Sequence, residues 1–261
     1  MTDNVPVHLL DALAARDGIV CAVGAGGKKT TLYRLLAAHP GRVGLTATAM
    51  LTPPPRRLLD TRLVDSPEAL AIAVPEAAAV HRRVGFACPS SKSGRLAGLP
   101  PATVARIHAD AGFAATLVKA DGARMRGIKA PRHDEPLLVP GCTTIIFVVS
   151  AGVIGQPLDE HTAHRLPELT AVLDLAPGER ITPRHVGRLL SHPAGARQQA
   201  SGTRLVALIN QVDDGERLHA ARDAAACALA ADTPPERIVL GAMTADDPVV
   251  EIVEPTRMPA H

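Results

Sequence analysis

Short, continuous apolar runs alternate along this chain with longer stretches whose apolar residues recur every three to four positions. The runs at 19–23, 43–48, 114–120 and 143–150 read as strands buried on both faces, as a parallel sheet requires. The last of these, Thr-Thr-Ile-Ile-Phe-Val-Val-Ser, is the strongest, being apolar and β-branched almost throughout. Further strands are expected at 205–209 and 237–243, with an edge strand at 249–253. Helical spacing predicts helices over 8–16, 32–38, 100–111, 163–173, 183–191 and 216–231, and prolines stand at the start of those near 101 and 183. Pro53-Pro54-Pro55 reads as a stiff, extended break. Residues 90–94 read as a loop, and Pro75 leaves 69–84 undecided.

Strands alternating with helices imply βαβ units and an α/β fold with a mostly parallel sheet. The expected architecture is a P-loop NTPase-like three-layer sandwich, one domain over 1–261 with a small helical insertion around 160–195. Right-handed crossovers bring the loops that follow the strands to one edge of the sheet. That edge should gather 24–31, Thr46, Thr48, Asp121, Ala151, Gly152 and Asn210.

Composition narrows the partners. An apolar fraction of 46% supplies a sizeable core, but aromatics are 2%, with no Trp, so Leu, Val, Ile and Ala must build it. Few aromatics also argue against a platform for single-stranded nucleic acid, which stacks bases on rings. The formal net charge is +2 and the charges are interspersed, so no basic block marks a nucleic-acid or membrane partner. Cys21, Cys88, Cys142 and Cys227 are far apart and read as free thiols of a reducing compartment. The longest apolar run, around 145–155, is too short to span a bilayer, and Met1-Thr2-Asp3-Asn4 opens no signal peptide. A cytoplasmic location is expected.

The chemistry centres on Gly24-Ala25-Gly26-Gly27-Lys28-Lys29-Thr30-Thr31, set between a strand and a helix. Glycines allow backbone N–H groups to wrap a polyphosphate, and the helix start adds its positive dipole end. A lysine supplies charge for phosphate oxygens, and Thr30 or Thr31 a hydroxyl for Mg²⁺. The standard P-loop has four residues between its first glycine and Gly-Lys-[Ser/Thr]; here the spacing is shorter, as in the ATP loop of the Mur ligases. Two assignments stay open: Lys28 on phosphate with Thr30 on the metal, or Lys29 on phosphate with Thr30 directly after it. A dinucleotide fingerprint fails at its third glycine, where Lys29 stands.

Asp121 ends a strand, where a Walker-B-type magnesium ligand belongs. The segment that follows, 122–136, concentrates Arg124, Arg126, Lys129, Arg132, His133, Asp134 and Glu135. Lys129 and Arg124 suit an anionic substrate, and His133 or Glu135 a general base. Asn210-Gln211-Val212-Asp213 approaches the guanine-reading Asn-Lys-x-Asp of GTPases, with glutamine in place of lysine. His161 and His164 would share one face of a helix, without a third metal ligand.

Five pieces together resemble the YqeC family. They are Val23-Gly24-Ala25-Gly26-Gly27-Lys28; the block from Ala120-Asp121-Gly122 through Ile128-Lys129-Ala130-Pro131 to His133-Asp134-Glu135-Pro136; Gly155-Gln156-Pro157-Leu158 leading to His164-Arg165; Ile181-Thr182 through His192-Pro193-Ala194-Gly195; and Asn210 with Asp213. The chain departs from the family's usual pattern at Thr46-Ala47-Thr48-Ala49, where a threonine run is usual, and at Gln211 and Ala123. The family is described as accessory proteins of selenium-dependent molybdenum hydroxylases. The resemblance implies a P-loop-like nucleotide-binding protein that serves the maturation of molybdenum hydroxylases, partnered by such an enzyme or its cofactor; it does not define the reaction. Together with the glycine loop and Asp121, the expectation is an Mg²⁺-dependent protein that binds ATP or GTP, an NTPase or NTP-dependent transferase. The rival expectations are a nucleotide-switched cofactor carrier without turnover, a carrier whose phosphate loop grips the cofactor's own pyrophosphate, and a Mur-like ligase or kinase.

Overall fold

The structure is a computed structural model, and it describes residues 7–200 and 202–255. Its elements run α1 (Val7–Ala12), β1 (Gly18–Gly24), α2 (Lys28–Ala38), β2 (Val43–Ala47), β3 (Thr61–Val64), α3 (Pro67–Val80), β4 (Arg83–Ala87), α4 (Pro101–Ala111) and β5 (Ala115–Lys119). They continue with β6 (Ile128–Lys129), β7 (Cys142–Ser150), β8 (Ala163–His164), α5 (Leu166–Leu173), α6 (Pro183–Ser191), β9 (Arg204–Asn210), α7 (Gly215–Leu229), β10 (Arg237–Gly241) and β11 (Val249–Val253). Nine strands form one sheet in the order β11-β10-β9-β7-β1-β5-β2-β4-β3, and β6 pairs with β8 apart from it. The pairings β1–β5, β5–β2, β2–β4, β4–β3 and β9–β10 are parallel, and β11 runs antiparallel to β10 at the edge. This is the expected α/β architecture, a mostly parallel sheet consistent with a three-layer sandwich. No helix among the described residues is long and apolar enough to cross a membrane.

The chain divides into two compact units. Of the described residues, the first holds those up to Val23, Lys28–Gly122 and Asp134–Ile146; the second holds Gly24–Gly27, Ala123–His133 and those from Phe147 onward. In the first, β1, β2 and β5 are buried on both faces, as their unbroken apolar runs demand. Leu32, Leu35 and Leu36 of α2 lie on one helical stripe and are buried, as are Leu70 and Val74 of α3 and Val104 and Ile107 of α4. Phe86 and Phe113 stack with ring centroids 6.3 Å apart, a large share of the aromatic content in one contact. Cys21 hydrogen-bonds Cys142, which raises the first thiol's pKa and lowers the second's. Cys227 is exposed, so not every thiol belongs to the core.

Two strands of this unit escape the pattern. β3 is a short edge strand with no fully buried residue, and β4 carries Arg83 and Gly85 inside its apolar run. Asp60 joins them: its carboxylate accepts the N–H groups of Arg82 and Arg83 at 2.9 and 2.8 Å, which holds its pKa below the ordinary carboxylate value. The undecided stretch is largely α3. Ser66 caps it by accepting the Ala69 N–H, Pro67 opens it, and it runs through Pro75, losing one backbone donor there. After the three prolines the chain forms a 3₁₀ turn at Arg56–Leu58.

The second unit is built on β9, β10 and β11, with α6 packed against α7. Leu205, Val206, Leu208 and Ile209 of β9 are buried, as are Ala221, Ala224, Ala225 and Ala228 of α7, which packs against α6 and β10. One expectation fails here. Residues 163–164 are the strand β8, so His161 and His164 do not share a helix face, and the helix begins only at Leu166. Asp159 takes the N–H groups of His161 and Thr162, which turns the chain away from helix before β8.

Candidate functional site

The glycine loop lies between β1 and α2, where the sequence places it. Gly26 and Gly27 have left-handed φ values of +84° and +126°, a region in which L side chains are strained. Space is equally short. A Cβ on Gly26 would lie 2.4 Å from the Ser150 N, and one on Gly27 2.3 Å from Asn210 Nδ2. The loop is pinned within the second unit: Ala25 N–H donates to Val148 O at 2.8 Å, and Gly26 N–H to Arg126 O at 3.0 Å. Asn210 Nδ2 donates to Gly26 O at 2.8 Å. Two amides expected to wrap a phosphate are thus occupied by the protein. At the start of α2, the backbone N–H groups of Lys29 and Thr30 have no acceptor within the helix itself.

α2 opens with Lys28. Its side chain turns into the first unit, 5% exposed, and its Nζ stands 2.7 Å from Oδ1 of Asp121, which is 2% exposed. Asp121 follows β5, so it sits at the carboxyl end of a central strand. Of the two lysines, Lys28 is the buried one; Lys29 is half-exposed, as is Thr30, and Thr31 is buried. Lys119, which sequence reasoning passed over, fixes the backbone here. Its Nζ donates to Asp121 O at 2.6 Å and to Met50 O at 2.7 Å, tying the end of β5 to the segment after β2. Thr46 and Thr48 donate their hydroxyls to Phe86 O and Leu137 O, each at 2.7 Å, and so serve the fold.

The basic and acidic segment after Asp121 divides by burial. Lys129 is 1% exposed on β6, among the largest fully buried side chains. Arg124, on a left-handed backbone, and His133 are exposed; Glu135 is half-buried. Gln198 donates to Arg132 O and Gln199 to His133 O, so the turn after α6 holds this segment.

Asn210 ends β9, 3% exposed, and both ends of its amide are engaged: Nδ2 on Gly26 O, and Oδ1 accepting Met243 N–H at 3.1 Å. Asp213 is exposed and ion-paired to Arg217 at 2.8 Å. Arg217 also donates to Gln211 O and its backbone N–H is capped by Asp214. Gln211, where the GTPase pattern has lysine, has φ +64° and hydrogen-bonds Ser150. Ser150 and Arg217 were not singled out from the sequence.

The YqeC family model, described as "YqeC protein", matches residues 20–167, more than half of the chain. The chain belongs to the YqeC family. The match takes in the glycine loop, Lys28, Asp121 and the whole segment to Glu135, and ends before Asn210 and Asp213. A curated relative, "Uncharacterized protein YqeC" of Escherichia coli (strain K12), is 26% identical over 207 residues, covering 77% of this chain and 78% of the relative.

For magnesium, the donor set is suitable in kind. A buried carboxylate at Asp121 and a hydroxyl at Thr30 are hard oxygen ligands, and Mg²⁺ commonly takes one or two carboxylates with phosphate oxygens and water. Among the described residues no group of three His, Cys, Asp or Glu could hold a metal ion, so a cation at Asp121 would need oxygens from its ligand.

Proposed function

We propose that this YqeC-family protein binds ATP or GTP with Mg²⁺, and acts as an NTPase or NTP-dependent transferase in the maturation of selenium-dependent molybdenum hydroxylases. One observation carries the nucleotide reading. The lysine that follows the glycine loop and opens α2 meets, in a buried contact of 2.7 Å, the carboxylate that ends a central parallel strand. Opposite charges held apart from water at a strand end and a helix start suit phosphate on the one side and a divalent cation on the other. Lys28 would neutralise phosphate oxygens, and Thr30 and Asp121 would hold the cation. Bound Mg²⁺ would supply charge neutralisation on the phosphates. The accessory role rests only on what the resemblance to the YqeC family implies.

Equilibrium binding of ATP, GTP and CTP, with and without Mg²⁺, tests the reading. Mg²⁺-dependent binding that is lost in Lys28→Ala supports it. Where turnover is found, Lys28→Ala should lower it about 10²–10³-fold, the usual effect of removing one preorganised donor. A GTP preference erased by Asp213→Ala would assign base reading to that carboxylate. Absence of any triphosphate binding overturns the nucleotide reading. Deleting the gene should lower the activity of the molybdenum hydroxylase without lowering its protein level.

A further inference from the structure

We propose that Lys28 and Asp121 form a charge-exchange pair that makes polyphosphate and a divalent cation bind to this site together. The inference rests on the nucleotide reading above and adds how the site is controlled. The two groups are 5% and 2% exposed and in direct contact, so each buried charge has the other as its neighbour. A polyphosphate arriving alone must draw Lys28 from Asp121, and it brings negative charge toward a carboxylate that has just lost its cation. A divalent cation arriving alone must draw Asp121 from Lys28, and it brings positive charge toward the ammonium. Either step separates a buried ion pair and sets a like charge against the member left behind, which is costly away from water. Arriving together, the two ligands exchange partners with the pair: Lys28 passes to phosphate and Asp121 to the cation, so each member keeps an opposite charge beside it. Lys119 sharpens the effect. Its ammonium stays on the carbonyls of Asp121 and Met50, so the backbone beneath the carboxylate is fixed and the exchange is confined to side chains.

Such a site has a signature that a merely structural ion pair lacks: removing either member should improve binding of the opposite ligand. The test uses the full chain, with ATP, and separately Mn²⁺ followed by electron paramagnetic resonance, as probes. Wild-type protein should bind ATP at least about tenfold more weakly in EDTA than in Mg²⁺, within the usual range of coupling between sites. Asp121→Asn should bind ATP in EDTA at least about tenfold more tightly than wild type does in EDTA, and should lose its response to Mg²⁺. Lys28→Met should bind Mn²⁺ alone more tightly than wild type. Circular dichroism melts establish that each variant is folded, and Asp121→Ser replaces Asp121→Asn should the latter unfold. If wild type binds Mg·ATP but neither substitution improves binding of the opposite ligand, the exchange is overturned and the nucleotide reading survives. If wild type binds no ATP or GTP under either condition, both fall.

Discussion

Asn210 offers the sharpest test of how the glycine loop is held. Its side chain is 3% exposed and bridges two backbones, donating to Gly26 O at 2.8 Å and accepting from Met243 N at 3.1 Å. Asn210→Ala removes both bonds and strands both partners. The Met243 N–H is buried, and leaving such a group unsatisfied costs about 1–3 kcal/mol, whereas a neutral hydrogen bond whose acceptor can find water contributes about 0.5–1.5 kcal/mol. The sum is about 1.5–4.5 kcal/mol. Asn210→Asp separates the two contacts. A carboxylate oxygen still accepts Met243 N–H, but the other oxygen now faces Gly26 O, two acceptors with no proton between them. Burial and that carbonyl should raise the new carboxyl's pKa in the folded protein above its unfolded value near 4. The folded state then binds the proton more tightly, so stability is greater at low pH and is lost as pH rises through the raised pKa. Urea unfolding followed by circular dichroism at pH 7.5 and 5.0 measures both effects. Asn210→Ala should lose similar stability at both values, and Asn210→Asp should recover part of its loss at pH 5.0. A loss below about 0.5 kcal/mol for Asn210→Ala, within the range of ordinary surface substitutions, would refute the bridge.

Gly27→Ala should destabilise by about 1–3 kcal/mol from backbone strain alone at φ +126°, with the clash against Asn210 Nδ2 adding to it; a thermal melt unchanged from wild type would exclude the observed loop conformation. His108, half-buried and hydrogen-bonded to Thr116 at 2.8 Å, has its pKa lowered from 6.5 by burial, so the stability it contributes is complete above pH 6.5 and is lost as pH falls through the lowered value. His108→Gln should therefore flatten part of the stability decline between pH 7 and 5, leaving the shares of His185 and His192, which shift the same way; an unchanged slope would refute this. Lys119→Met should loosen the Asp121 backbone, seen as faster amide exchange after β5, because it removes the bonds from Nζ to the carbonyls of Asp121 and Met50.

Much of this fold was legible because a parallel strand must be apolar on both faces. β1, β2, β5, β7, β9 and β10 all announce themselves this way, and their α-helical connections follow from spacing and proline starts. What stayed hidden lacked a local pattern. β3 is a four-residue edge strand with no fully buried side chain, β4 is interrupted by Gly85, and β6 and β8 are two residues each, too short for any periodicity. α3 was obscured by Pro75, whose lost hydrogen bond is outweighed by the alanine-rich turns around it and the Ser66 cap. In the site, the placing of Lys28 and Asp121 at one sheet edge could be anticipated from a strand, a glycine loop and a second strand end, but their direct contact could not. Lys119 could not: its partner Met50 lies 69 residues away, and the contact is to a backbone carbonyl, which leaves no trace in side-chain identity.

The same geometry separates two roles that the glycine loop invites one to merge. Glycine at 26 and 27 looks like a device for letting phosphate approach the backbone. Yet the atoms a side chain would strike are Ser150 N and Asn210 Nδ2, both protein atoms, and the Ala25 and Gly26 amides donate to protein carbonyls. Glycine is therefore required here before any ligand arrives, and its presence says little about what the loop binds. The argument for a ligand moves to the charges, because a lysine and an aspartate buried together are a poor way to stabilise a protein: apolar residues of similar size often do as well or better. A pair of this kind, standing at a helix start and a central strand end, is the feature on which the proposed ligand site rests. The two kinds of substitution should part company accordingly. Changes at Gly26 or Gly27 should lower stability first and ligand binding only through it, whereas Lys28→Met paired with Asp121→Leu should leave the protein about as stable as wild type and unable to bind its ligand.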